Sequence, residues 1–204
     1  MHPLPAFDAF LFDFGGVLIE IDFRRAFAAW ATAAGTSAES VAARFRFDDA
    51  YAAHERGEIA APDYFEFLRR SLGIDISDDQ FLAGWNAIFV DEVAGMRNVL
   101  AEAGKTRPLY LLSNTCEVHK QYWLRQHRDL LRPFSKVFLS SEIGLRKPDP
   151  EAFLFVARSI GFPPERIAFF DDAEENVAGA RKAGLAAFRV ASPAEVLAAL
   201  SVSP

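Results

Sequence analysis

The sequence predicts an α/β fold, a doubly wound parallel sheet, with a helical cap inserted into it. Three observations carry this reading. Five short apolar segments recur along the 204 residues, with helical patterns between them. Most of those segments show little polar alternation, as strands covered on both faces do. One stretch, 20–97, interrupts the alternation and holds no convincing strand.

The strands are expected at 7–13, 108–112, 136–140, 167–171 and 186–190, all rich in Phe, Leu, Ile and Val. The intervening helices carry end signals. Asp149-Pro150 reads as an N-cap followed by proline at the first helical position, and Ser192-Pro-Ala-Glu195 as a capping box. Gly184 stands where a helix begun near residue 174 should stop. Strands alternating with helices argue for the doubly wound sheet.

Within 20–97 the helical patterns run over 22–34, 37–53, 62–72 and 77–90, punctuated by Gly35, Gly57 and Gly73. Thr36…Glu39 and Ser77…Gln80 are candidate capping boxes. A plain helical crossover is one reading of this segment. Crossovers need only a dozen or so residues, however. A cap over the sheet's active edge therefore fits better, with the core at 1–19 and 98–204 and the cap at 20–97.

Composition narrows the function classes. Half the residues are hydrophobic, enough for a real core, and the net charge is −6. With no Lys/Arg-rich run, a nucleic-acid partner has no electrostatic support. No apolar stretch is long enough to span a bilayer, and MHPLPAFDAF lacks the pattern of a secretory leader. One cysteine, Cys116, excludes an internal disulfide and fits a reducing cytoplasm. The four histidines (His2, His54, His119, His127) show no metal-ligand spacing. Monomer and homodimer both remain open.

In open α/β sheets, ligands bind beyond the carboxyl ends of the strands. Four polar signals lie at such ends: Asp13 after "FLF", Ser113-Asn114-Thr115 after "LYLL", "GLRKPDP" at 144–150, and Asp171-Asp172 after "RIAFF". Each has a plainer reading: Asp13 and Ser113 as turn residues, Lys147 as a solvated lysine, Asp171-Asp172 as a helix-capping pair. Together they suit phosphoryl chemistry. A carboxylate can attack phosphorus, and a hard cation such as Mg²⁺ takes oxygen ligands and neutralises phosphoryl charge. Lys147 lies near the N-terminus of the helix capped by Asp149, a place that favours anions. The Ser113 hydroxyl can donate to phosphoryl oxygens.

The motifs "FDFGGV", "LLSNT", "RKPDP" and "FFDDAEEN", in that order, resemble the haloacid dehalogenase (HAD) superfamily, predominantly phosphatases, in the subgroup with a helical C1-type cap after the first strand. "HERGEI" (54–59), "SNTCEVHKQYW" (113–123) and "GLRKPDPEAF" further resemble a bacterial branch that includes α-D-glucose-1-phosphate phosphatases. The resemblance implies a Rossmann-like core and a role for each residue. Asp13 would be nucleophile and metal ligand. Gly15 would lend its carbonyl to the metal, here Mg²⁺. Ser113, Asn114 and Lys147 would hold the phosphoryl group, and Asp172 would bind the metal directly. Asp171 would stand behind it, and Asn176 would support the site where many relatives carry a carboxylate.

Gly15 departs from the pattern. Phosphatases of the superfamily carry there a second aspartate, which protonates the leaving oxygen and then activates water. Loss of such a group costs ~10²–10⁴-fold in rate. Glu20, Asp22, His54 or Glu55 could substitute. Alternatively the leaving group could be an anomeric or acyl oxygen that departs readily, or the protein could be a weak enzyme or a phosphate-binding relative. Dehalogenases of the superfamily also lack the second aspartate, but they need no metal, so Asp171-Asp172 argues against that chemistry. Phosphonate-cleaving relatives use a cap lysine, and 20–97 contains none. The expected function is thus a Mg²⁺-dependent phosphatase acting on a small phosphorylated metabolite, with a sugar phosphate as first candidate and α-D-glucose 1-phosphate as one such compound. His54, Glu55 and Arg56 could reach substrate from the cap or form a solvated helix end. His119, Tyr122 and Trp123 are expected to pack just behind the site, with substrate contact as the other reading, and Cys116 to be a packing residue.

Overall fold

The computed structural model describes residues 7–201. His2 and residues 1–6, part of the stretch read for a leader, lie outside the described residues. The chain begins with strand β1 (Ala9–Phe12), then β2 (Ile19–Ile21), and continues through helices α1 (Phe23–Ala34), α2 (Ala38–Arg44), α3 (Asp49–Glu55), α4 (Ala61–Leu72) and α5 (Asp78–Asn86). Strand β3 (Phe89–Glu92) and helix α6 (Met96–Gly104) lead back to the sheet. There follow β4 (Leu109–Ser113), α7 (Glu117–Gln126), β5 (Phe134–Leu139), the one-turn α8 (Ser140–Ile143), α9 (Pro150–Ile160), β6 (Ile167–Asp171), α10 (Glu174–Lys182), β7 (Ala186–Arg189) and α11 (Pro193–Ser201).

The five expected strands form one parallel sheet in the order β5-β4-β1-β6-β7. Its centre is buried on both faces, and the period-two rule divides each strand between two cores. Phe10 and Phe12 of β1 and Phe170 of β6 join the core that continues into the cap. Ala9, Leu11, Ile167 and Phe169 face the opposite core with Phe153, Val156 and Val177. The continuous apolar runs are therefore two interleaved faces, both covered.

Several end signals act as expected. Asp149 caps α9, its side chain accepting from the Glu151 N–H. Ser77 and Gln80 complete a reciprocal box at the start of α5. Ser192 accepts from the Glu195 N–H, while the Glu195 carboxylate reaches the Ala191 N–H. Gly184, with φ +92°, follows the end of α10.

Three expectations need correction. The pattern at 37–53 is two helices, because the chain extends at Phe45 and restarts where Asp48 caps α3. Phe23 packs on both Phe45 and Phe47 at that break. The cap of α2 is Ser37, not Thr36. The segment 20–97 is not wholly helical: β2 and β3 pair antiparallel, Ile21 opposite Phe89, and the pattern expected to run helical to 90 stops at Asn86.

Helices α1 and α5 meet through stacked rings, Trp30 on Phe81 and Trp85. The Trp30 indole N–H donates to the Phe81 carbonyl at 2.9 Å. Gly84 lies so close to the Trp30 indole that a Cβ there would collide with it.

Candidate active site

Asp13 leaves β1 at the carboxyl edge of the sheet, and its N–H still bonds to the Phe170 carbonyl of β6. Lys147 reaches the same point from the loop before α9. Its ammonium lies 2.5 Å from Asp13 Oδ1 and 2.7 Å from Asp171 Oδ2, and it is almost wholly buried. Asp171, with no exposed surface, also accepts from the Ala173 N–H at 2.8 Å and from Asn176 Nδ2 at 3.0 Å. The lysine is thus locked between two carboxylates rather than solvated, and Asn176 donates to Asp171.

Asn114 is placed differently from its expected role on phosphate. Its Nδ2 donates to the Lys147 carbonyl at 2.8 Å and its Oδ1 accepts from the Lys147 N–H at 2.9 Å. Its carboxamide positions the lysine. Ser113, at the end of β4, is buried and faces the cavity.

Burial pushes the Asp13 carboxyl up to about 7, against the pull of Lys147, with Asp171 adding to the rise. Burial and the neighbouring Asp171 also raise Asp172. Desolvation opposes the charge on Lys147, but the two carboxylates outweigh it and hold the ammonium protonated. One oxygen from each of Asp13, Asp171 and Asp172 lies within 4.8 Å of the others. Three carboxyls facing one ammonium leave an excess of negative charge. That oxygen donor set suits a hard divalent cation.

A cavity of about 300 Å³ opens from this edge toward the cap. Gly15, Gly16, Ser113, Asn114 and Asp172 floor it. Phe14, Ile21, Phe23, Ile88, Phe89 and Trp123 form apolar walls. Tyr51, Glu55 and His119 supply the polar groups at the cap end. The ribbon strands β2 and β3 thus contribute walls that the sequence reading missed; the alternation of Ile19, Glu20 and Ile21 was the available signal.

The place two residues beyond Asp13 borders an apolar side chain: a Cβ on Gly15 would lie 3.1 Å from Ile21 Cγ1, a tight contact. Of the four candidate substitutes, Glu20 is exposed. Asp22 caps α1 and pairs with Arg24. His54 is buried, stacked on Tyr64 at 4.4 Å. Only Glu55 shares the cavity with Gly15.

Helix α3 therefore does not end in solvent. Glu55 Oε2 accepts from Arg146 Nη2 at 2.8 Å and Nε at 3.0 Å. Its carbonyl accepts from the Ser140 hydroxyl at 2.6 Å. Arg56, by contrast, pairs outward with Glu58. His119 and Trp123 both pack and line the cavity, Tyr122 stacks on Phe89 at 5.6 Å, and Cys116 is buried beneath the Trp85 indole.

A haloacid dehalogenase-like hydrolase profile matches residues 7–184. The chain is 24% identical over 191 residues to the D-ribitol-5-phosphate phosphatase of Bacteroides thetaiotaomicron, covering 88% of this chain and 89% of that one. A 58-residue stretch is 36% identical to the glyceraldehyde 3-phosphate phosphatase of Methanopyrus kandleri, 28% of this chain and 25% of that one. In structure it is similar to a HAD family enzyme of Bacteroides thetaiotaomicron solved with magnesium and inorganic phosphate. That match has a TM-score of 0.77 at 28% identity, over 90% of this chain and 94% of the other. A profile spanning nearly the whole chain, on a fold that brings the four motifs to one sheet edge, makes this protein a member of the haloacid dehalogenase-like hydrolase family.

Proposed function

We propose that the protein is a phosphatase of small phosphorylated metabolites, using Mg²⁺ and an aspartyl-phosphate intermediate, with the core at 1–19 and 98–204 and the cap at 20–97. The observation that carries this is the Lys147 ammonium held between Asp13 and Asp171, with an Asp172 oxygen within 4.8 Å of both carboxylates, at the sheet edge whose Ser113 and Asp172 line a capped cavity. The phosphatase relatives support the same reaction class, and the magnesium and phosphate in the similar structure support the ion.

Asp13 attacks phosphorus in line and the P–O bond to the leaving oxygen breaks. That oxygen departs with the organic group and takes a proton from water. A second water then attacks the aspartyl-phosphate, releasing phosphate and restoring the Asp13 carboxylate. Ser113 and Lys147 hold the phosphoryl oxygens throughout. Asp13, Asp172 and the Gly15 carbonyl would hold Mg²⁺, which supplies neutralisation of phosphoryl charge when bound. Asp171 fixes Lys147. The apolar contact of Ile21 at Gly15 leaves no acid on that side, which favours a leaving oxygen that departs readily. An anomeric sugar oxygen is of that kind, so α-D-glucose 1-phosphate is the first candidate.

A phosphate-release screen over sugar phosphates, alditol phosphates and 2-haloacids, with and without Mg²⁺, tests the reading. Release should depend on Mg²⁺ and fall by about 10³-fold or more in Asp13→Asn. Full activity in that variant, or halide release that survives chelation, would overturn it.

A further inference from the structure

The cap end of the cavity carries polar groups beyond those that hold the phosphoryl oxygens. His119 lines it, and its Nε2 lies 2.9 Å from the Trp85 carbonyl. Only an N–H can satisfy that carbonyl, so Nε2 carries the proton. Burial holds the ring neutral, with its pKa lowered to about 4. Nδ1 is therefore a lone-pair acceptor. The ring cannot swing away, since it stacks on Trp85 at 4.8 Å and meets the edge of Phe89 at 5.0 Å.

Glu55 supplies the second acceptor. Arg146 takes only Oε2, and the Tyr51 hydroxyl also bonds to this carboxylate. The carboxylate keeps lone pairs beyond these partners. Its charge is balanced by Arg146 and its helix end is pinned through Ser140, so it is both preorganised and electrically quiet. A site of this kind offers acceptors without net charge. It suits neutral hydroxyl donors better than an ammonium. The rings of Phe89 and Trp123 beside it offer faces to the C–H surface of a carbohydrate.

We infer that Glu55 and His119 form a hydroxyl-reading subsite, which selects polyhydroxylated phosphates over apolar or cationic ones of equal size. This rests on the phosphatase reading above and deepens it.

The test compares α-D-glucose 1-phosphate with cyclohexyl phosphate, a match in ring size without hydroxyls, on the Mg²⁺-loaded protein. Affinities are read as inhibition constants against p-nitrophenyl phosphate hydrolysis. If the protein releases no phosphate, the phosphatase reading fails by itself, and calorimetric titration of the same two compounds still reads the subsite. Wild type should prefer the sugar phosphate by about ten-fold or more, the worth of one or two good hydrogen bonds. His119→Gln, which can keep the donor to Trp85 but loses the Nδ1 acceptor, should reduce that preference several-fold. His119→Asn, which can place its carboxamide oxygen near Nδ1, should restore part of it. Glu55→Gln should weaken it as well. A general packing role would instead weaken both ligands equally. An absent preference in wild type, or one unchanged in His119→Gln and Glu55→Gln, would overturn the inference. So would ethanolamine phosphate binding more tightly than ethyl phosphate, since that would mean the acceptors read a cation.

Discussion

Lys147 shows how one residue can serve both stability and chemistry. Its ammonium is fully desolvated and answers two carboxylates at once. Removing one partner of a buried ion pair leaves uncompensated charge and costs about 3–5 kcal/mol. Lys147→Met should therefore lose about 3 kcal/mol in urea denaturation, and the double variant Lys147→Met with Asp171→Asn should recover part of it. An additive result would mean that the pair is not coupled. Gly16 carries a different constraint. Its φ is +79°, and a Cβ there would collide with the Asp172 carboxylate. Gly16→Ala should thus displace Asp172. On the proposed metal site, millimolar Mg²⁺ should raise the thermal stability of the wild-type protein, and that gain should be absent in this variant while the secondary structure persists by circular dichroism. Retained stabilisation would remove Asp172 from the metal site.

Among the elements, α3, α8 and the loop after β4 meet at a single hydroxyl. Ser140 accepts from the Thr115 N–H at 2.8 Å and donates to the Glu55 carbonyl. It thus ties the end of a cap helix to the loop carrying Ser113 and Asn114. Nearby, Gly57 has no room for a side chain against the Ser141 carbonyl. Ser140→Ala leaves a buried N–H and a buried C=O each short of a partner and should cost about 1–3 kcal/mol. Equilibrium unfolding measures this, and an unchanged midpoint would show that water replaces the hydroxyl. Sequence spacing exposed the helices of the cap but not this tie, because Ser140 and Glu55 are 85 positions apart. The ribbon of β2 and β3 was hidden for a related reason. Two strands of three and four residues, paired across the whole cap, carry only one brief alternation, Ile19-Glu20-Ile21, as local signal.

Over the molecule as a whole, pH stability gives a check on the buried site. The unfolded chain protonates His119 near its ordinary value of 6.5, whereas the folded chain resists until about 4. Protons thus favour unfolding across that window. Stability from this group is complete above about pH 6.5 and falls by about 3 kcal/mol as the pH drops to about 4. Asp13, raised by burial, works in the opposite direction. The His119 contribution is therefore read as the difference in acid sensitivity between wild type and His119→Gln, which should be the less sensitive. Equal slopes for the two proteins would place His119 in contact with water.

Fold class, strand positions and most of the candidate site follow from local chemistry. Apolar runs mark strands buried on both faces, glycine and capping residues mark helix ends, and an acid after β1, a hydroxyl after β4, a lysine before α9 and an acid pair after β6 mark one sheet edge. Those features are local in the chain, so the amino-acid order alone determines them. Tertiary structure decided the rest: that Asn114 grips Lys147, that Ile21 packs beside Gly15, and that Glu55 and His119 face one cavity from separate helices. Each depends on contacts between residues far apart in sequence. Only burial against a particular neighbour distinguishes a solvated helix end from a wall of the active site.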